Sequence, residues 1–205
     1  MKFLRCVMLL LVAGLLHLSE INAQYVGHRA FDNCYAGLQF GGVSPLRHHA
    51  LLPDMRAVIG WHLGKQLTPA FGLELQSTLG VNTQGLHQQG SPTVFDDIHS
   101  SILAEVSLTN LIYGYLSPRR FELELVYGFG HRHFFVPASC GDDFEHLTST
   151  AGCNLNFRLG QKKALGLTLR PHFVWNLEPQ AYHAGFAEFR LTLGVTYFFK
   201  TSNGK

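Results

Sequence analysis

Apolar side chains return at every second position through most of this chain. In FELELVYGFGHRHFFV (Phe121–Val136) one set is Phe121, Leu123, Leu125, Tyr127, Phe129, His131 and His133. The other is Glu122, Glu124, Val126, Gly128, Gly130 and Arg132. A strand sends alternate side chains to opposite faces, so one face here is apolar and aromatic and the other carries charge and glycine. The same alternation predicts seven further strands, at Asn33–Val43, Met55–Gly64, Phe71–Asn82, Ser101–Tyr115, Thr148–Gly160, Ala164–Trp175 and Ala187–Phe199. Two residues strain the pattern. Asn110 falls on an apolar face, and Pro171 removes a ladder donor, which is tolerable near a rim or a bulge.

Strand length separates the two ways of burying such faces. Soluble strands usually run about 5–6 residues, whereas these run roughly 10–14, as strands tilted across a bilayer must. The connections alternate in length. Long polar ones at 44–54, 83–99, 137–147 and 176–185 are separated by short turns at 65–70, 116–120 and 161–163. This is how outer-membrane barrels are built. The expectation is an all-β fold, an eight-stranded antiparallel up-and-down transmembrane β-barrel. A soluble lipocalin-like barrel is the rival. The even strand number puts both termini on the short-turn side, expected to be periplasmic, and the long loops outside.

The inward face then carries Arg56, Glu74, Glu105, Glu122, Glu124, Arg132, Arg158, Arg170, Glu188 and Arg190, five acids and five arginines. An eight-stranded lumen is only wide enough for side chains to fill. Buried charges there must be paired, and arginine's planar fork suits carboxylates. Balanced charge favours a salt-bridged plug over a gated pore. Glycines at 37, 41, 60, 72, 80, 128, 130, 152, 166 and 194 also fall inward, where they make room for arginines and ease curvature. Gly128-Phe129-Gly130 lacks a following helix and is no nucleotide motif.

Other chemistry is thin. His48, His49, His87, His99, His146 and His183 fall in or at the long loops, without the spacing of a metal site. His131 and His133 face outward near the upper rim, within reach of lipopolysaccharide phosphates. His99 and Ser101, with Asp96 and Asp97 nearby, are the residues a lipid-modifying centre would need, but both lie on the inward phase, away from acyl chains. No cofactor is implied. Cys34 and Cys153 are expected as small outward residues, and Cys140 lies in a loop, so no disulfide is expected between Cys140 and Cys153.

The chain opens with Lys2 and Arg5, an apolar run Val7–Leu16 and a small residue at Ala23. This reads as a cleaved secretory signal over residues 1–23, with the barrel domain over 24–205. The net charge of +2 and the lack of a basic block point to no nucleic-acid partner. No later stretch is long and apolar enough for a membrane helix.

At GWHLGKQLTPAFGLELQS (Gly60–Ser77) and FDDIHSSILAEVSLTNLIYGY (Phe95–Tyr115) the chain resembles the barrel portion of OmpA-type outer-membrane proteins. Gly64-Lys65, Thr68-Pro69 and Gly72-Leu73 resemble that family's second-to-third strand connection. Leu108-Thr109-Asn110-Leu111 with Gly114-Tyr115 resembles its fourth strand and turn, and Ala151-Gly152 with Phe157-Arg158-Leu159 its sixth. The resemblance implies a Gram-negative outer-membrane protein with structural, adhesive or weak pore activity, and no catalytic residues. It also implies outer-membrane lipid and lipopolysaccharide as surroundings, with other outer-membrane proteins as candidate partners. Many such proteins continue into a periplasmic peptidoglycan-binding domain, whereas this chain stops at Lys205, and its terminal FFKTSNGK differs from barrels that end on an aromatic residue. The leading expectation is a non-enzymatic, closed barrel serving envelope integrity, surface contact or a larger outer-membrane complex. A porin-like small-solute channel and a lipid-modifying enzyme are the alternatives.

Overall fold

The computed structural model describes residues 32–46, 55–81, 94–114, 119–135, 144–160, 164–177 and 187–199. The expected signal segment, His48, His49, His87, His183 and Cys140 lie outside these residues. The eight strands are β1 Cys34–Pro45, β2 Arg56–Gln66, β3 Phe71–Val81, β4 Phe95–Ser107, β5 Phe121–Phe134, β6 Phe144–Leu159, β7 Leu165–Asn176 and β8 Ala187–Phe198. Each pairs antiparallel with its sequence neighbours, and β8 returns to β1, closing the barrel with Tyr35 opposite Phe198 and Pro45 opposite Glu188.

Burial is inverted relative to a soluble domain. Among the described residues seven buried side chains are apolar and thirty are polar or charged. The large apolar side chains, such as Leu38, Phe40, Ile102 and Phe129, stand on the outside. The alternation read along each strand therefore sorts polar residues into the lumen and apolar ones onto the exterior.

Inward glycines let the wall curve, but not by clearing space for arginines. A Cβ on Gly128 would lie 2.0 Å from the carbonyl oxygen of Ile102 on β4, and one on Gly37 would lie 2.5 Å from the His62 ring. The first contact is backbone, which cannot swing away. Gly128→Ala is therefore expected to lower barrel stability by about 1–3 kcal/mol through overpacking, read from urea titration of the folded fraction. Gly37→Ala should cost a similar amount, because the backbone carbonyl oxygen of Val195 lies as close to that Cβ, at 2.5 Å, as the His62 ring does.

Three strand boundaries depart from the sequence reading by more than two residues. β4 starts at Phe95, inside the predicted 83–99 loop, and Asp97, Ile98 and His99 pair with Phe134, His133 and Arg132 of β5. The β3–β4 register shifts between Gly80/Val81, where Gly80 faces Asp97 but Val81 faces Phe95. Asp96 is the extra residue, and such bulges re-aim side chains. β6 starts at Phe144 rather than Thr148, which puts His146 in a strand and buries it. His99 and His146 are thus wall residues, not loop residues.

At the other end β4 stops at Ser107, and a six-residue helix, α1 Leu108–Tyr113, replaces the predicted strand end. The Ser107 hydroxyl accepts from the Asn110 amide at 3.3 Å, a helix N-cap. Asn110, which broke the strand pattern, is buried and donates through Nδ2 to the Pro69 carbonyl at 2.7 Å. The Leu123 amide of β5, left without a β4 partner, donates to Thr109 Oγ1 at 2.8 Å. The predicted tight turn at 116–120 is therefore a longer connection containing a helix. Pro171 also sits mid-strand rather than at a rim. The β6–β7 ladder lapses between Gly152↔His172 and Leu155↔Leu169, and resumes with the same offset.

Candidate functional site

The lumen holds the charged side chains, arranged in two tiers. In the tier nearer the starts of β4 and β6, Arg132 donates from Nε to Asp97 Oδ2 at 2.8 Å and lies 2.9 Å through Nη1 from Glu188 Oε2. Arg190 donates from Nη2 to the same Glu188 oxygen at 3.1 Å. Its Nη1 reaches Thr78 Oγ1 at 2.8 Å and His99 Nδ1 at 2.8 Å. Arginine can only donate, so His99 Nδ1 accepts, leaving Nε2 to donate to Thr148 Oγ1 at 2.9 Å. Arg56, partly exposed at the mouth, pairs with Asp96 at 3.1 Å and lies 3.7 Å from Glu188.

In the second tier Arg170 grips Glu74 with two parallel bonds of 2.6 and 2.8 Å. In a closed ring of eight strands, β7 and β3 face each other across the lumen, so this pair spans it. The Tyr35 hydroxyl sits between Glu74, at 3.1 Å, and Glu105. Asn154 donates to Glu105 at 3.1 Å, and its Oδ1 accepts from His172 Nε2 at 3.0 Å. Nearer the short connections, Arg158 pairs with Glu122 at 3.0 Å and stacks 3.8 Å from the Phe198 ring centroid. Glu124 accepts from Asn156 at 2.7 Å and Gln66 at 3.4 Å.

All ten residues singled out from the sequence point into this lumen, and nine of them are buried or nearly so, with Arg56 the partly exposed one. The expected even balance needs correction. Asp96 and Asp97 join the upper tier, where Asp96, Asp97 and Glu188 meet Arg56, Arg132 and Arg190. Among the described residues, the lower tier sets Glu74, Glu105, Glu122 and Glu124 against Arg170 and Arg158. Its described ion pairs leave Glu105 and Glu124 to neutral donors. The alternation could not reveal Asp96, because the bulge changes its phase, nor Asp97, because polar residues around it read as loop. Tyr35, Asn154 and His172 were legible as inward residues, but nothing in the sequence said which carboxylates they would meet.

His99, Ser101 and Asp97 are buried in the lumen, and the His99 ring is held by Arg190 and Thr148. That geometry offers no nucleophile to a lipid outside the wall. On the exterior, His131 and His133 lie 3.5 and 3.4 Å from the Glu145 carboxylate, which competes with any phosphate for them. Among the described residues no three His, Cys, Asp or Glu side chains are arranged to hold a metal ion. Cys34 and Cys153 are half-buried on the wall.

No family model matches the chain, and no curated protein sequence matches it. Solved structures share its fold. The N-terminal β-barrel domain of Pseudomonas aeruginosa OprF aligns with a TM-score of 0.56 at 14% identity, over 82% of this chain and 98% of that one. Neisserial surface protein A (NspA) aligns at 0.52 with 8% identity, over 82% and 98%. Ail, the attachment invasion locus protein of Yersinia pestis, aligns at 0.50 with 12% identity, over 81% and 96%. These are eight-stranded outer-membrane barrels, and at such identities the likeness is one of fold.

Proposed function

We propose that this barrel spans a bacterial outer membrane as a non-enzymatic, closed-lumen protein. Its work is then to support envelope integrity, to present surface loops for contact, or to serve as a small subunit of an outer-membrane complex. The observation that carries the closed lumen is the pair of crossings, Arg170 to Glu74 between β7 and β3, and Arg190 to Thr78 and His99 between β8 and β3–β4. Side chains joined across the full width support a lumen closed to solutes. The shared fold and the apolar exterior support the membrane location. In this reading both termini and the short connections after β2, β4 and β6 face the periplasm, and the long connections after β1, β3, β5 and β7 face outward.

A liposome swelling assay with small sugars tests the closed lumen against the porin-like alternative. The native protein should leave swelling at the protein-free rate, and sugar-dependent swelling would favour the channel. The membrane location has its own test. Ile102 stands mid-strand on the exterior, 62% exposed. Ile102→Arg should cost about 2–4 kcal/mol when the barrel is folded in lipid vesicles, as charge does at a bilayer midplane. A variant as stable as the native chain in vesicles would place that face outside hydrocarbon.

A further inference from the structure

The α1 connection is a part of the short-turn end that the closed-lumen reading does not use. Its helix exposes Leu111, Ile112 and Tyr113, the last two by 70% and 68%. It is nonetheless held in place, by Asn110 on the Pro69 carbonyl and by Thr109 on the Leu123 amide. Arg119 fastens the far end. Its Nη2 donates to the carbonyls of Tyr113 at 3.2 Å and Gly114 at 3.0 Å, and its guanidinium lies 5.4 Å from the Tyr113 ring centroid. A fixed helix that displays apolar side chains to its surroundings is built to put them somewhere.

We infer that α1 is an interfacial anchor, which sets Ile112 and Tyr113 into the leaflet at the short-connection end while Arg120 binds the phosphate of an anionic phospholipid. This rests on the membrane reading above. Two observations choose lipid as the occupant. The first is continuity: the exposed Phe121 that follows the connection stacks on Phe157 of β6, with ring centroids 5.0 Å apart, so the helix adjoins the apolar exterior. The second is charge. From Leu108 to Phe121 the sequence carries Arg119 and Arg120 and no acidic residue, and Glu122 beyond it points into the lumen, paired with Arg158. Arg119 is engaged with backbone carbonyls, whereas Arg120 is exposed. Tyrosine with a cation beside it is suited to the headgroup region, where the ring lies in apolar surroundings and the polar tip stays wet.

The test uses fluorescence quenching by lipids brominated at chosen depths. In full-length protein with Trp61→Phe and Trp175→Phe, Tyr113→Trp places an indole on α1 that retains the stacking of Arg119. In phosphatidylcholine–phosphatidylglycerol vesicles it should be quenched most by bromine near the carbonyl end of the acyl chain. A second protein, with only Trp175→Phe, reports from Trp61, which faces outward in mid-β2 and should be quenched most by mid-chain bromine. Quenching of Trp61 without quenching at 113 would overturn the anchor and leave the membrane reading standing. Quenching of neither would overturn both. The headgroup claim has a separate readout. Arg120→Gln should reduce retention of phosphatidylglycerol over phosphatidylcholine, measured by native mass spectrometry, by about fivefold, the worth of one basic residue at an anionic surface. An unchanged preference would overturn it.

Discussion

Arg170→Ala should be the most damaging single substitution in the barrel wall, costing about 3–5 kcal/mol of stability. The cause is not the loss of two hydrogen bonds by themselves. Arg170 and Glu74 are both essentially excluded from solvent, so truncating the arginine strands a carboxylate in the lumen with only the Tyr35 hydroxyl and neighbouring dipoles to face it. Removing both partners should cost far less, because the leftover charge goes with them. Arg170→Met combined with Glu74→Leu is expected to lie within about 1–2 kcal/mol of the native chain, since apolar replacement of a buried pair is often near neutral. Arg170→Lys should fall between, because an ammonium cannot reproduce the two-point grip. Urea titrations of the native chain, Arg170→Met, Glu74→Leu and the double variant in the same vesicles provide a double-mutant cycle, and the interaction it isolates is the crossing itself.

The second large effect concerns closure. The lumen is crossed at two levels, so opening one should leave the other to block it. In the upper level Arg132 also joins β5 to Glu188 of β8, and removing Arg190 opens the β1–β3 side of that chord. Arg190→Ala alone, or Glu74→Ala with Arg170→Ala alone, is expected to remain non-conducting. All three together should conduct, and the current should be carried by cations. The remaining upper tier would hold Asp96, Asp97 and Glu188 against Arg56 and Arg132. The lower would hold Glu105, Glu122 and Glu124 against Arg158. Both tiers then carry excess carboxylate, and rings of acidic side chains select cations. Reversal potentials across a salt gradient measure this, and anion preference would show that another set of charges controls the path.

The wall of the barrel was legible because its two faces differ in kind. Leu38, Phe40, Trp61 and Tyr127 alternate with Gln39, Gly60, His62 and Gly128, and one shift in phase would exchange lipid for lumen. The same logic explains where the reading failed. A strand that faces a polar lumen looks like a loop wherever few of its outward residues are apolar, as in Asp96–Ser101 and Glu145–Ser149, where Ile98 and Leu147 alone mark the outward face. The true starts of β4 and β6 were hidden for that reason. The end of β4 had a signal of a different period. Ser107 followed by Leu108, Leu111 and Ile112 is an N-cap before apolar residues at helical spacing, but an apolar residue at every second place over Ile102–Leu108 outweighed it. Asn110 was the clue, since a buried amide needs a partner and a lipid-facing strand position supplies none.

The charge network was legible as a list and not as a geometry. Phase alone assigns Glu74 and Arg170 to the lumen. It does not say that they meet, because partners on opposite strands depend on the stagger of the whole ring. Nor could it reveal the uneven sharing of acids between the tiers, for which the bulge at Asp96 is partly responsible.

A closed lumen depends on the crossings. Single-channel recording of the native protein in planar bilayers tests this most directly, with the triple variant Glu74→Ala, Arg170→Ala, Arg190→Ala as the insertion control. The prediction is a silent native protein and stepwise, cation-selective current from the variant. Steady stepwise conductance from the native barrel would show that the crossings do not close the lumen.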